Sequence, residues 1–294
     1  MIVPKPPDLP AQAIRNARTS PEGNVIRDLS PRHQPLLRAR IQAGNESLQH
    51  EISFQLLFDA DLFSRRLVEA GNRDPAARPA ASLPEDERRL SLRPTRQIDY
   101  ADKAIENWAA KVGLKDRAAE EGEIDYAYRV FQAIVSACQY EYRNEQDRAA
   151  SHVATVGRSD CGGLCNLFVA LLRVHGIPAR TLAGRWAFSA RPGQRMGEVE
   201  YVQEHIKAEF FAQGVGWIPI DLSSAVLYEG PSERSRYFGN DPGNFVTIHL
   251  DGELTFDTIY FGNKTVNLFQ KASYWVTGLG SLAGVVISEN WLIL

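Results

Sequence analysis

The chain has 294 residues, a hydrophobic fraction of 44% and a formal net charge of −3. It is long enough to bury a sizeable core, and its overall charge gives no reason to expect nucleic acid or an anionic membrane as partner. Three cysteines, Cys138, Cys161 and Cys165, are too few and odd in number for a disulfide framework and point to a reducing compartment.

The N-terminus, MIVPKPPDLPAQAIRNARTS, lacks a continuous apolar h-region, and no apolar run approaches the roughly 20 residues that span a bilayer. A cytoplasmic protein is therefore expected, with no membrane partner. Residues 1–33, rich in Pro, Arg and Asn, read as an extended arm. Residues 34–94 read as a small β-rich region and connector. In it, Leu37, Ala39 and Ile41 alternate on one run and Ile52, Phe54, Leu56 and Phe58 on another. The Gly44-Asn45 step between them predicts a strand pair. The Pro-rich, doubly charged stretch 71–97 reads as a solvated connector. Residues 95–294 form the third unit. Ala101, Ala104, Ile105 and Trp108 share a helical stripe, as do Ala127, Val130, Phe131, Ile134, Val135 and Cys138. A third helix follows in RSDCGGLCNLFVALLRVHGIPAR, and then the short strands RTLAGRWAF, EHIKAEFF, WIPIDL, NFVTIHL and SYWVTGL. Helices first and strands after make an α+β fold, with helices packed against an antiparallel sheet.

The third helix carries the chemistry. Asp160 suits the N-cap, Leu164, Phe168, Leu171 and Leu172 form the apolar stripe, and Gly176 fits the left-handed position after the end. Cys161 falls in the first turn, where free N–H groups and the macrodipole favour a thiolate. Gly162 and Gly163 weaken the helix, and their missing side chains suit the close approach of a substrate backbone. A nucleophilic thiol needs a base and an orienting group. His205 opens an alternating run and shares a strand face with Lys207 and Glu209. Asp221 lies beyond a Gly-containing turn, where an antiparallel partner strand brings it beside His205. Cys161, His205 and Asp221 make a thiol triad. A zinc site using His152 or His175 is disfavoured because His175 lies at the far end of the helix from Cys161.

The segment DCGGLCNLFVALLRVHGIPARTLAGR resembles the cysteine motif of the transglutaminase-like superfamily, with Cys161 as nucleophile and Arg173, Gly176, Ile177, Pro178, Ala179 and Arg180 in the R-x-x-G-I-P-A-R tract. HIKAEFFAQGVGWIPIDLS is similar to the motifs that carry the catalytic His and Asp. RYFGNDPGNFVTIHLDGE resembles a tract in bacterial members whose cysteine motif begins Asp-Cys-Gly-Gly. The resemblance runs from about residue 95 to the end. It implies a papain-like α+β core and a catalytic domain over 95–294; animal members bind calcium, but this chain shows no EF-hand-like loop, and no metal or other cofactor is expected. Relatives usually place an aromatic residue where this chain has Lys207. That lysine either lines the cleft and favours an acidic substrate group, or is solvated.

The expected activity is cysteine-dependent acyl transfer from an amide or thioester on a peptide, protein or small acyl substrate. The acceptor is left open between an amine, as in a transglutaminase, and water, as in a thiol protease or amidase. The alternative is a non-catalytic interaction module of the same superfamily. Gly162, Gly163 and Lys207 are the expected substrate-binding residues, and Trp108, Tyr140 and Tyr142 the candidate second oxyanion donors. The apolar end NWLIL predicts docking of the C-terminus as a last strand or against a neighbouring chain.

Overall fold

Cys161–Val174 is the helix around which the rest is arranged, and nearly every residue along it is buried. The Asp160 carboxylate accepts from the amides of Gly162 and Gly163 at its start. At its end Gly176 takes φ +72°, and the amides of Gly176 and Ile177 return to the carbonyls of Arg173 and Leu172. The computed structural model of the protein describes residues 1–42, 51–69, 82–187, 195–196, 199–200, 204–227, 233–278, 284–288 and 290–292.

Six strands come first: β1 (Ile2–Pro4), β2 (Gln12–Ser20), β3 (Asn24–Arg27), β4 (Pro35–Arg38), β5 (Gln55–Leu62) and β6 (Arg65–Arg66). Helices α1 (Glu85–Leu92), α2 (Lys103–Lys111) and α3 (Glu123–Ala137) follow, then β7 (Gln139–Tyr140), α4 (Ala150–Val156), β8 (Arg158–Ser159) and the cysteine helix α5 (Cys161–Val174). The remainder is β9 (Ala179–Trp186), β10 (Arg195–Met196), β11 (Val199–Glu200), β12 (Glu204–Ala212), β13 (Gly216–Ile220), α6 (Leu222–Leu227), β14 (Asn240–Asp241), β15 (Phe245–Leu250), β16 (Leu254–Asp257) and β17 (Asn263–Val266).

The central sheet has the order β13-β12-β9-β15 and is antiparallel throughout. Along β12 the side chains alternate. Ile206, Ala208 and Phe210 join the main core with α5, where Phe168 meets the Phe210 ring edge-on at 6.3 Å. His205, Lys207 and Glu209 take the opposite face. The fold is thus α+β, with helices on an antiparallel sheet and a β-rich region ahead of them. No helix among the described residues is long and apolar enough to cross a membrane.

The polar face of the sheet is covered by a run of charges. Arg173 meets Asp251 at 3.1 Å, Asp251 meets Arg32 at 2.9 Å, and Arg32 meets Glu87 at 3.0 Å. Glu87 meets Arg180 at 2.8 Å, Arg180 meets Glu209 at 2.6 Å, and Glu209 meets Arg65 at 3.0 Å. Arg65 lies 3.7 Å from Asp241, which meets Lys207 at 3.4 Å. Signs alternate from one end to the other. The edge strand β15 is clipped by two glutamine side chains. The Gln12 amide donates to the Thr247 carbonyl at 2.9 Å and accepts from its N–H at 2.8 Å. Gln34 does the same for Leu250, at 2.7 Å in both directions.

Four expectations change here. Residues 1–33 are not an arm: they form β1 to β3, and their Arg32 and Gln12 are built into the sheet face. The strand pair around Gly44-Asn45 does not form, because β4 pairs with β1 and β3 while β5 pairs with β2; the Gly-Asn step itself lies outside the described residues. Residues 85–92 of the presumed connector are a helix whose Glu87 bridges two arginines. At the C-terminal end, Ser273 makes only a bridge to Ile2, and SYWVTGL forms no strand among the described residues. Trp291 packs edge-on against Phe58 at 6.0 Å, outside the main core, while Leu292 is 82% exposed; residues 293–294 lie outside the described set.

Gln12→Leu should lower the unfolding free energy by roughly 2–5 kcal/mol, because it strands a buried N–H and C=O of β15 at about 1–3 kcal/mol each. Denaturant melts of the two proteins measure this. A second outcome follows from His249, buried in β15, where burial pushes the imidazole down from 6.5 to about 4. The unfolded chain therefore binds the proton first. Stability held above pH 6.5 is lost as the pH falls toward 4, by roughly 3 kcal/mol. The pH dependence of the unfolding midpoint should flatten in that window in His249→Gln.

Candidate active site

The mouth of α5 is held from below by charge. One oxygen of Asp160 accepts from the amides of Gly162 and Gly163 at 3.0 and 3.3 Å. The other is gripped by Arg148, through Nε at 2.7 Å and Nη2 at 2.6 Å. Cys161 then occupies the first turn, half-buried, while Cys165 one turn on is fully buried with Sγ 3.5 Å from the Ile206 carbonyl. The Cys161 thiol is hydrogen-bonded to the Ile206 main chain. The thiol is thereby placed against the residue that follows His205 in β12.

The glycines have a different reason from the expected one. Both are buried. A Cβ on Gly163 would lie 2.0 Å from the Ser159 hydroxyl and 2.9 Å from Val153, and one on Gly162 would lie 3.2 Å from Arg148 and 3.3 Å from Ile206. Their missing side chains make room for the protein itself, and their amides are spent on Asp160. The Gly162 and Gly163 substrate role gives way to a packing role. Trp108 is likewise a core residue.

Across the cleft, β13 ends at Ile220, paired with Ala208, so Asp221 emerges beside the start of β12. His205 Nε2 lies 3.0 and 3.1 Å from the two Asp221 oxygens. A carboxylate only accepts, so Nε2 carries the proton and Nδ1 is the basic nitrogen of the neutral ring. Asp221 also accepts from the Ser224 amide at 3.1 Å. Burial opposes its ionisation, but His205, Lys207 and the Ser224 amide outweigh this and hold the carboxyl at about 2. Trp186 from β9 stacks on the imidazole at 4.7 Å and 21°, and Phe245 meets it edge-on at 5.9 Å.

Lys207 fits neither reading drawn from the sequence. It is 3% exposed, paired with Asp241, and its ammonium lies over Trp186 at 4.6 Å and Phe245 at 4.9 Å. The position taken by an aromatic residue in relatives here carries a cation enclosed by two aromatic rings and a carboxylate. It is the end of the buried charge run, turned toward the rings that flank His205.

Burial pushes the Cys161 thiol up, and the Asp160 and Asp221 carboxylates add to this; the Ile206 main chain and Arg148 pull the other way. Burial alone pushes Cys138 up to about 11, and Cys165 is raised well above the ordinary value, first by burial and then by Cys161.

Trp186, Phe245, Arg148 and Asp241 escaped the sequence reading. The register places Gly184 opposite His205, so Trp186 is found by pairing β9 with β12. Arg148 sits in a loop and gives no periodic signal.

Residues 106–222 match the transglutaminase-like superfamily. An uncharacterized Haemophilus influenzae protein is 32% identical over an alignment that takes in 34% of this chain and 34% of that protein, so the match spans about a third of that relative's length. Among solved structures, a proposed cysteine protease from Cytophaga hutchinsonii overlays with a TM-score of 0.48 at 15% identity, covering 85% of this chain and 74% of that one. The periplasmic domain of TgpA from Pseudomonas aeruginosa, bound to ethylmercury, overlays at 0.39 and 15% identity, covering 79% and 73%.

Pairing with His205 would make Cys161 the most reactive of the three thiols. Iodoacetamide on the native protein should therefore give one fast adduct, on Cys161. His205→Ala should slow it at pH 7 by at least about tenfold, one pH unit of thiolate population, and push the reaction into the alkaline range. Equal labelling of all three cysteines, or an unchanged rate, would break the Cys161–His205 pair.

Proposed function

From the match of residues 106–222 to the transglutaminase-like superfamily, we propose that the chain is a cysteine-dependent acyl-transfer enzyme of that superfamily, working through Cys161, His205 and Asp221. The single observation that carries this is the His205–Asp221 pair, fixed through Nε2 beside the strand residue against which Cys161 rests. That arrangement leaves Nδ1 as the base and stabilises the imidazolium with a carboxylate that stays ionised.

The reaction balances as follows. The Cys161 sulfur attacks the carbonyl carbon of an amide or thioester, and its proton passes to His205 Nδ1. The Cys161 main-chain N–H, at the open end of α5, faces the developing oxyanion. Collapse expels the amine or thiol, which takes the proton from His205. An amine or water then gives its proton to His205 and attacks the thioacyl-enzyme, and Cys161 regains its proton as the product leaves. Either acceptor fits these residues. Asp221→Asn keeps the size of the side chain but loses the charge beneath the imidazolium.

Cys161→Ala should abolish turnover while the protein still unfolds cooperatively, since alanine is a good helix former at a helix mouth. The donor is found by incubating the native protein with a panel of amide and thioester probes and measuring intact mass. A mass increase confined to the Cys161 peptide, absent in Cys161→Ala, and released faster by added amines or by water, names donor and acceptor. Adducts that persist in Cys161→Ala, or no adduct with any probe, would favour the non-catalytic module. Asp221→Asn should cut kcat by roughly a thousandfold or more, in line with a triad aspartate, with a much smaller change in melting temperature.

A further inference from the structure

The helix cap poses a conflict. Asp160 is the residue that best starts α5, since its carboxylate satisfies two of the free amides. It is also the residue immediately before the nucleophile. A bare carboxylate there works against every step in which the sulfur becomes negative. The chain keeps the acidic cap and answers it from outside the helix.

Arg148 stands in the loop before α4. Its Nε and Nη2 both reach the same Asp160 oxygen, the one that the glycine amides do not use. Its Nη1 is anchored on the Gln146 carbonyl at 3.2 Å and Nη2 on the Arg143 carbonyl at 3.3 Å. Its own carbonyl accepts from Asn166 of α5 at 2.8 Å. The stem runs past Gly162 closely enough that a Cβ there would lie 3.2 Å away. The guanidinium is therefore fixed at both ends, with its charge over the first turn of α5. The groups that face Cys161 are then Asp160 and Cys165 from its own helix, Arg148 from the loop, the Ile206 main chain from β12, and Asp221 after β13. Tyr142 faces Arg148 from the outside.

We infer that Arg148 is a positioning residue for the nucleophile: by chelating Asp160 it lets an acidic helix cap stand beside a sulfur that must become an anion. Arg148 acts through Asp160 and the field at the helix mouth, without touching substrate. Its presence is what makes the Asp-Cys-Gly-Gly order workable. Burial and Asp160 raise the Cys161 thiol and Arg148 opposes them, which is the direction the geometry requires. The inference rests on the proposed nucleophilic role of Cys161 for its purpose, but the measurement needs no substrate.

The experiment is the rate of iodoacetamide labelling at Cys161 against pH in wild type, Arg148→Met, Asp160→Asn and the double variant, with a thermal melt of each. Asparagine caps as well as aspartate, so Asp160→Asn keeps the helix start. Arg148→Met should slow labelling at pH 7 by roughly tenfold, a shift of about one pH unit. Asp160→Asn should speed it, and the double variant should return to within about threefold of wild type. Arg148→Lys keeps the charge and should label nearly as wild type, which covers the case in which Arg148→Met melts below the assay temperature. A double variant as slow as Arg148→Met, or an Arg148→Met profile superimposed on wild type, would overturn the inference and reduce Arg148 to a structural tie. If the labelling pattern holds while no acyl-enzyme forms with any probe, the acyl-transfer reading fails and this inference stands.

Discussion

The rest of the structure depends on a buried alternation of charge, Arg173, Asp251, Arg32, Glu87, Arg180, Glu209, Arg65, Asp241 and Lys207. Arg173, Asp251, Arg180, Glu209, Asp241 and Lys207 are buried, Arg32, Glu87 and Arg65 half-buried, and each is answered on both sides except at the two ends. Burial would drive carboxylates such as Glu209 and Asp251 toward neutrality, yet the flanking arginines keep both below their ordinary values. Such a run adds little net stability over an apolar layer of the same shape. What it imposes is position, because removing one member leaves its neighbours with one partner fewer, at a cost of up to about 3–5 kcal/mol where the neighbour is buried. Its members come from α5, the turn after β15, the β3–β4 loop, α1, β9, β12, β6 and β14. The run thereby fixes the N-terminal strands, the first helix and the central sheet in a single register. Arg173 and Arg180, the two arginines of the R-x-x-G-I-P-A-R tract, are members of it. Arg180 is further held over Trp217 at 3.8 Å.

The same run reaches the candidate site. Lys207 is its terminal cation, and the rings it lies against, Trp186 and Phe245, are the rings that contact His205. The imidazole is thus bounded by Asp221 on one nitrogen, by an indole on one face and by a phenyl edge. Trp186 also screens the His205–Asp221 contact from water, which strengthens it. Around Cys161 the order is opposite. Acidic groups crowd the sulfur, and Arg148 offsets them. The candidate site thus joins a carboxylate fixed on His205 to a sulfur set among carboxylates that an arginine offsets.

How much of this was legible depends on whether a residue's reason is local. The cysteine helix was legible from end to end: Asp160 caps it, Leu164, Phe168, Leu171 and Leu172 are buried, and Gly176 has the positive φ its place required. The His205 and Asp221 pairing was legible because strand alternation and one Gly turn decide it. The glycines after Cys161 were misread, since their neighbours Ser159, Val153, Arg148 and Ile206 come from four other segments. The N-terminal strands were missed because their partners lie far along the chain and the stretch is rich in Pro, Arg and Asn. Lys207 was read as a surface or cleft charge because nothing near it in sequence announces Asp241. Residues 85–92 looked like connector because the helix is polar and short, and its place is set by Glu87 meeting Arg32 and Arg180.

The two glutamine clips have a consequence for how the chain acquires its structure. Gln12 and Thr247 are 235 residues apart, and Gln34 and Leu250 are 216 apart. During synthesis the first forty residues leave the ribosome long before the strand they clip exists. Their own strand pairs can form early, but the Gln12 and Gln34 clips cannot close until residues 247–250 have been made. Contacts of such sequence separation are closed late and slowly, after the loop entropy has been spent. The segment 106–222 can collect around α5 earlier, but it would do so with the polar face of β9 and β12 uncovered and the outer edge of β15 not yet present. The nascent protein therefore passes through a state with an open sheet face and unpaired backbone, the kind of species that chaperones hold. A chain of this design should be sensitive to the timing of its own translation.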